Sequence, residues 1–282
     1  MIQRLSIVGV GLLGGSVAKA ARERSLAREI IGVGRDAGRL RPALADGTLD
    51  HATTDLAGGL TGADFVVLAP PVQTLERLLP AVWAAAAPEA LITDVGSTKG
   101  SIVTAAERLA AERPLAFVGS HPMAGSEQSG YAVARADLFV GATVIVTPTE
   151  TTEPRAVKSV TVFWEALGAH VAVLDPRTHD RVVSAISHLP HLVAYALVEA
   201  AVRVDPSALD FAARGFKDTT RIAASDPDVW REIFVANRPA LREGLSTFRA
   251  VLDELERLVE AGDGARLRAW LAAAKARREG VR

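Results

Sequence analysis

The chain has no cysteine among its 282 residues. That excludes disulfides, thiolate nucleophiles, iron–sulfur clusters and cysteine-ligated zinc. The absence agrees with a reducing compartment, and a cytoplasmic location is expected. A surplus of one charge is also missing: 32 Lys and Arg stand against 33 Asp and Glu, a net of −1. A general phosphate-attracting field is therefore absent, and no nucleic-acid partner is expected. No uninterrupted apolar run reaches the ~20 residues of a membrane span. The alanine-rich stretch 81–90 is too short and contains Pro88, so no membrane partner is expected either. Repeats and low-complexity linkers are lacking as well. What is present is 49% hydrophobic and 23% charged residues, the mix of a globular protein. The length suits one large domain or two ordinary ones, with enough chain to bury a sizeable core.

The N-terminus mimics a signal peptide, with Arg4, an apolar run over 5–17 and Ala18-Lys19-Ala20. Four glycines inside the run, Gly9, Gly11, Gly14 and Gly15, argue for another reading. Leu5-Ser6-Ile7-Val8-Gly9 reads as a buried parallel strand and 12–25 as the helix after it. Further strands are expected at 29–33, 64–69, 91–94, 116–118, 143–146 and 170–174, with helices at about 72–83, 100–112 and 156–167. Strands alternating with helices imply βαβ units, hence an α/β fold with a doubly wound, mainly parallel sheet. After Asp175-Pro176 no strand pattern remains. Helices are expected over about 177–201, 207–224, 227–260 with a break, and 264–278. The expected organisation is a dinucleotide-binding domain of Rossmann type at 1–174 and an all-helical domain at 175–282.

Gly9-Val10-Gly11-Leu12-Leu13-Gly14 is G-x-G-x-x-G between a strand and a helix. The first glycine permits the tight turn, the second a close approach of backbone to pyrophosphate, and the third helix–strand packing. The helix N-terminus then offers free N–H groups to the anion. Gly9, Gly11, Leu12, Leu13 and Gly14 are the expected cofactor-binding residues. Ala69 and Pro70, after the strand at 64–69, are placed beside the same ligand. The ribose-reading acid of an NAD site belongs after the second strand. There the chain has Gly34, Arg35 and Asp36. Gly34 at the acid position followed by Arg35 leaves room and charge for a 2′-phosphate, favouring NADP over NAD. Asp36 reaches the ribose only if the turn runs one residue longer.

Six histidines are candidates for proton transfer. His51 reads as a surface turn residue, His170 as packing and His179 as solvated on a polar helix start. His121, in a loop following the strand at 116–118, balances between an acid–base group and a histidine bonded to a carbonyl. His188-x-x-His191 also has the look of a metal pair, but Pro190 intervenes and no third ligand is evident, so no metal is expected.

Five segments then occur in a telling order: the glycine loop with Gly15-Ser16; Asp94-Val95-Gly96-Ser97-Thr98-Lys99-Gly100; Gly119-Ser120-His121-Pro122-Met123-Ala124-Gly125; Ser187-His188-Leu189-Pro190-His191; and Gly215-Phe216-Lys217-Asp218-Thr219-Thr220-Arg221. Together they resemble the prephenate/arogenate dehydrogenases of tyrosine biosynthesis, from residue 5 to about 260. The resemblance implies oxidative decarboxylation of a cyclohexadienol with NAD(P), and a homodimer through the helical domain. Carried over, His121 matches the histidine that bonds the ring hydroxyl, and Ser97 the serine beside it near the nicotinamide. His191 lies near the substrate side chain, and Arg221 holds the ring carboxylate. Ser126, Glu127 and Lys217 join the expected substrate-binding set. Glu127 is a partner for the ammonium of arogenate or else solvated, and Lys217 is an alternative carboxylate ligand. The displaced acid after the second strand and Ala212-Ala213-Arg214 before Gly215 depart from the family pattern. Neither a chorismate mutase domain nor a regulatory domain is expected within the chain.

The chemistry needs little more. A neutral His takes the hydroxyl proton as hydride leaves, and carbon dioxide departs because the product ring becomes aromatic. Positioning of two carboxylates and the hydride acceptor carries the rest. Tyr195, Phe211, Trp230, Phe234 and Phe248 read as core or dimer contacts. Two other classes stay open: a β-hydroxyacid or imine dehydrogenase of similar layout, and a non-catalytic dinucleotide-sensing module.

Overall fold

A computed structural model describes residues 1–125 and 128–281; the expected site residues Ser126 and Glu127 lie outside them. Eight strands form one sheet: β1 (Ile2–Val8), β2 (Ala27–Val33), β3 (His51–Thr53), β4 (Phe65–Leu68), β5 (Leu91–Asp94), β6 (Ala116–Pro122), β7 (Thr143–Thr147) and β8 (His170–Val173). Their order is β3-β2-β1-β4-β5-β6-β7-β8. All neighbours are parallel except β6 and β7. Helices α1 (Leu12–Glu23), α2 (Ala37–Ala45), α3 (Leu56–Leu60), α4 (Val72–Ala85), α5 (Gly100–Glu112) and α6 (Pro154–Ala166) connect the strands.

The central strands are apolar along their length because helices cover both faces. One core gathers Leu5, Ile7, Val17, Val67, Val144 and Trp164; the other gathers Val66, Leu68, Leu75, Leu79, Ile92 and Ile102. These side chains are almost fully removed from water. At roughly 1.5–3 kcal/mol for each large apolar side chain, such burial is the main force holding the sheet together. Chain order reverses between β1 and β4, which opens a crevice at the carboxyl ends of the strands, where ligands of such sheets bind.

Three expectations need correction here. Residues 51–53 form a short strand, β3, so His51 is an exposed strand residue rather than a turn residue. Its run is too short for periodicity to reveal. β6 extends to Pro122, because antiparallel pairing with β7 carries the ladder through His121, which sits opposite Ile145. His121 is therefore a sheet residue, not a loop residue. His170, expected to pack, is exposed at the start of the edge strand β8.

The remaining helices are α7 (Pro176–Val183), α8 (Leu189–Val204), α9 (Arg214–Thr220), α10 (Pro227–Ala236), α11 (Arg238–Glu260) and α12 (Gly264–Glu279). A π-helical turn, Ser184–His188, joins α7 to α8. Pro190 follows it; a proline inside a helix lacks the N–H and crowds the carbonyl four residues back, and a widened turn relieves both. The continuous helix Pro176–Val204 is long and apolar enough to cross a membrane by length and composition. Its histidines and serines interrupt the apolar run that the sequence criterion required. The expected helix over 207–224 is broken. Ala212 and Ala213 are extended, α9 follows, and a 3-10 turn covers Arg221–Ala224. Thr219 and Thr220 hydrogen-bond back to the Gly215 and Phe216 carbonyls, which competes with a regular helix ending. Two compact units result, Met1–Asn237 and Arg238–Arg282.

Candidate active site

The glycine loop joins β1 to α1 at the crevice. Gly9 has φ +94°, and a Cβ there would lie 2.8 Å from the Ala69 carbonyl carbon. A Cβ on Gly14 would lie 2.0 Å from the Gly9 oxygen, so helix and loop close only on glycine. Gly11 differs: a Cβ there meets nothing within 4 Å. Its open face is where a ligand can approach the backbone. No side chain caps α1, and its first turn carries no acid. The free N–H groups and positive end of the helix dipole therefore suit a pyrophosphate. These residues fit a dinucleotide. At the end of β2, Gly34 and Arg35 precede α2, and both Arg35 and Asp36 are solvent-facing. The Asp36 carboxylate caps α2 by accepting the Gly38 N–H at 2.7 Å.

At the ends of β5 and β6 the site is built from buried charge. Lys99 and Asp94 form an ion pair with both side chains fully buried. The Asp94 carboxylate also accepts the N–H groups of Gly96 (2.8 Å) and Ser120 (3.1 Å), while Lys99 Nζ donates to the Ser120 carbonyl at 3.0 Å. Such a pair survives out of water only with further hydrogen bonds to its charged groups, and these three supply them. It ties the turn carrying Ser97 to the strand carrying His121.

His121 is buried on β6. Its Nδ1 lies 3.0 Å from Nε2 of His179, whose Nδ1 lies 2.8 Å from Oδ1 of Asp180. His179 is completely buried, which corrects the expectation of a solvated histidine. α7 does start on a polar turn, but it turns this face inward against β6. Burial, with the Lys99 charge and the neighbouring His179 and His188 imidazoles adding to it, holds the His121 pKa well below the usual histidine value. His121 is therefore a neutral base.

The helices supply the opposite wall. His191 donates its Nδ1–H to the Ser187 carbonyl at 2.9 Å and stacks on Trp230, with ring centroids 3.4 Å apart. Burial lowers its pKa, and the nearby Arg221 charge adds to the effect. His188 is buried, its pKa pushed down by burial to about 4. Asn237 donates one N–H to the Asp180 carbonyl at 2.8 Å and faces His188 Nδ1 at 3.0 Å.

A cavity of 540 Å³ joins these parts. Leu12, Leu13 and Ser97 line it from the dinucleotide side, His121 from the sheet, and His188, His191, Arg221 and Trp230 from the helices. Of the expected site, Ser97, His121, His191, Arg221, Leu12 and Leu13 thus come together. Lys217 does not: it is exposed on α9, off the cavity wall. Phe211 is exposed in a 3-10 turn, and Trp230 is a cavity wall rather than core. Sequence reasoning missed Asp180 and Asn237, read His179 as solvated, and named His188 without giving it a role in proton transfer. The one available signal was an imidazole and a carboxylate adjacent at positions 179 and 180. A larger groove of 760 Å³, lined by Glu89, Glu107, Phe117 and Glu153, contains no histidine or cationic side chain among the described residues.

Comparison with known proteins agrees with this geometry. Residues 17–173 match the family model of the prephenate dehydrogenase nucleotide-binding domain, and residues 175–273 that of the dimerization domain. The prephenate dehydrogenase of Bacillus subtilis is 36% identical over 285 residues, covering 100% of this chain and 76% of that protein. A crystal structure of prephenate dehydrogenase from A. aeolicus, in complex with hydroxyphenyl propionate and NAD+, superposes with a TM-score of 0.94 at 35% identity, covering 100% of this chain and 99% of that one. The arogenate dehydrogenase of Synechocystis gives a TM-score of 0.85 at 31% identity, covering 98% and 99%.

Proposed function

Because the chain belongs to the prephenate dehydrogenase family, we propose that it oxidatively decarboxylates prephenate, arogenate or both, with NADP preferred over NAD. The observation that carries this reading is the cavity itself. It sets a neutral, held imidazole beside Ser97 and opposite Arg221 and His191, next to the glycine loop.

The Gly9–Gly14 loop and the start of α1 would hold the dinucleotide, whose nicotinamide accepts a hydride when bound. His121 takes the proton of the substrate hydroxyl as that hydride leaves the same ring carbon. The carbon–oxygen bond becomes a ketone. The ring carbon–carboxylate bond then breaks, carbon dioxide leaves, and its electron pair makes the ring aromatic. The oxygen, now a phenolate, takes the same proton back from His121. The proton cycle on His121 thus closes within one turnover. Arg221 presents a planar fork suited to a carboxylate, and His191 lies where the substrate side chain would extend.

NADP preference rests on Gly34 and Arg35. No carboxylate stands at Gly34 to repel a 2′-phosphate, Arg35 is solvent-facing, and the Asp36 carboxylate is engaged in capping α2. The reading includes a homodimer through the helical half. The dimerization-domain match supports it, as do the exposed Val204 and Phe211; sedimentation of the intact chain reads its mass.

Turnover with each substrate and each dinucleotide, followed by absorbance of the reduced nicotinamide and by chromatography of the products, tests the activity. The expected products are 4-hydroxyphenylpyruvate from prephenate and tyrosine from arogenate. No turnover of either substrate by protein that still binds the dinucleotide overturns it.

A further inference from the structure

His121 is not an isolated base. We propose that Asp180 and His179 are positioning residues that fix the tautomer of His121 and share the positive charge it acquires during turnover. This inference rests on the proposed activity for its kinetic consequences, but not for its geometry.

The hydrogen-bond directions follow from elementary chemistry. A carboxylate only accepts, so the His179 Nδ1–H donates to Asp180 Oδ1 at 2.8 Å. Neutral His179 then has a lone pair on Nε2. That nitrogen lies 3.0 Å from His121 Nδ1, so His121 carries its proton on Nδ1 and donates it to His179. Nε2 of His121 is left as a lone pair, without a partner among the described residues, on a side chain that lines the cavity. A free His121 would distribute its proton between two nitrogens; this chain of bonds selects the tautomer that can accept a proton from substrate.

Charge completes the argument. The charged and titratable groups facing His121 are Lys99 from the β5–α5 turn, whose charge opposes its protonation, and two imidazoles with lowered pKa, His188 from the π-helical turn and His179 from α7. Asp94 on β5 is committed to Lys99. Among the described residues around His121, Asp180 is a carboxylate held by neutral donors. Besides His179, it accepts the backbone N–H groups of Lys99 at 2.8 Å and Gly100 at 2.9 Å. Burial opposes its ionisation, but the bonds from His179 and the two backbone groups prevail, and its pKa stays below the usual carboxylate value. A Cβ at Gly100 would lie 2.9 Å from Oδ2, so glycine is what lets the carboxylate seat on the start of α5. When His121 takes a proton at Nε2, its Nδ1–H is still donated to His179, and the new charge is felt by a carboxylate one imidazole away.

The test uses the full chain. Ring-nitrogen NMR of ¹⁵N-histidine-labelled protein reads the tautomer; the expected result is a proton on Nδ1 of His121 and of His179. Asp180→Asn removes the charge with little change of shape. The expected effect is a fall in kcat of ~10²-fold with KM within ~3-fold. The acid limb of the kcat–pH profile should also move to lower pH, because the imidazolium loses its counter-charge. A carboxylate that merely capped α5 would leave that limb in place. Should Asp180→Asn fail to fold, His179→Gln leaves the backbone bonds of Asp180 intact and is expected to show the same two changes. A wild-type His121 protonated on Nε2, or a folded variant with unchanged kcat and acid limb, overturns the proposal. If wild-type protein turns over neither substrate, the activity reading fails while the tautomer still decides the relay.

Discussion

The two sides of the crevice are made of different materials. Beside β1, the loop from Gly9 to Gly14 builds its cradle from backbone: a positive φ, a missing Cβ, and the free N–H groups of α1. Beside β6, the site is all side chain: an ion pair with no exposure, a three-member chain of imidazoles and carboxylate, and an imidazole stacked on an indole. The first side is built mostly from neighbours in sequence, with Ala69 after β4 packed against Gly9. The second draws on β5, β6, α7, α8 and α10, whose residues lie far apart along the chain. A backbone cradle binds what many proteins share, a pyrophosphate, and says little about the reaction. A side-chain wall is costly to assemble, because each buried polar group must find its partner, and it is where the chemistry becomes specific.

Changes on the two sides should therefore be unequal. The largest effect is expected at His121. His121→Asn removes the base, and kcat should fall ~10²- to 10⁴-fold with little change in dinucleotide affinity; near-normal kcat would remove His121 from the mechanism. Arg221→Ala comes next. Loss of a charge-assisted carboxylate contact, about 2–4 kcal/mol, should raise the substrate KM by roughly 30- to 1000-fold. An unchanged KM would assign the carboxylate to another residue. The dinucleotide side should respond least. The double change Gly34→Asp with Arg35→Ile is expected to reverse the order of KM for NADP and NAD. The size expected is ~1.5–3 kcal/mol, tenfold to a hundredfold in preference. A Cβ at Gly34 would sit 3.1 Å from the Leu40 side chain, so a melting curve of the double variant should accompany the kinetics. If wild-type protein prefers NAD, and Asp36→Ala alone abolishes that preference, the backbone side has been read one residue out of register.

The same contrast explains what could be read in advance. The βαβ alternation, the glycine loop and the helical second half are local patterns, and they match the structure closely because short-range periodicity reports burial directly. The end of β6 is not legible locally, because its extension depends on pairing with β7, about 25 residues later in the chain. His179 reads as solvated because its helix turn is polar in sequence, yet its ring meets a matching polar partner on β6, His121. Trp230 reads as a core or dimer contact from sequence because buried aromatic residues usually are one or the other, and its stacking on His191 is what makes it a cavity wall.

The amino-acid sequence alone determined the alternation of the longer strands and helices, the place of the glycine loop and which residue types are candidates to move a proton or hold a carboxylate. Those depend on residue type and on spacing over a few residues. Tertiary structure alone decided which nitrogen of His121 is left to face the cavity, which carboxylate stands behind it, and that a lysine and an aspartate could be sealed away from water together. Each of these is a property of distance and dielectric between segments that meet only after folding, and no local pattern carries it.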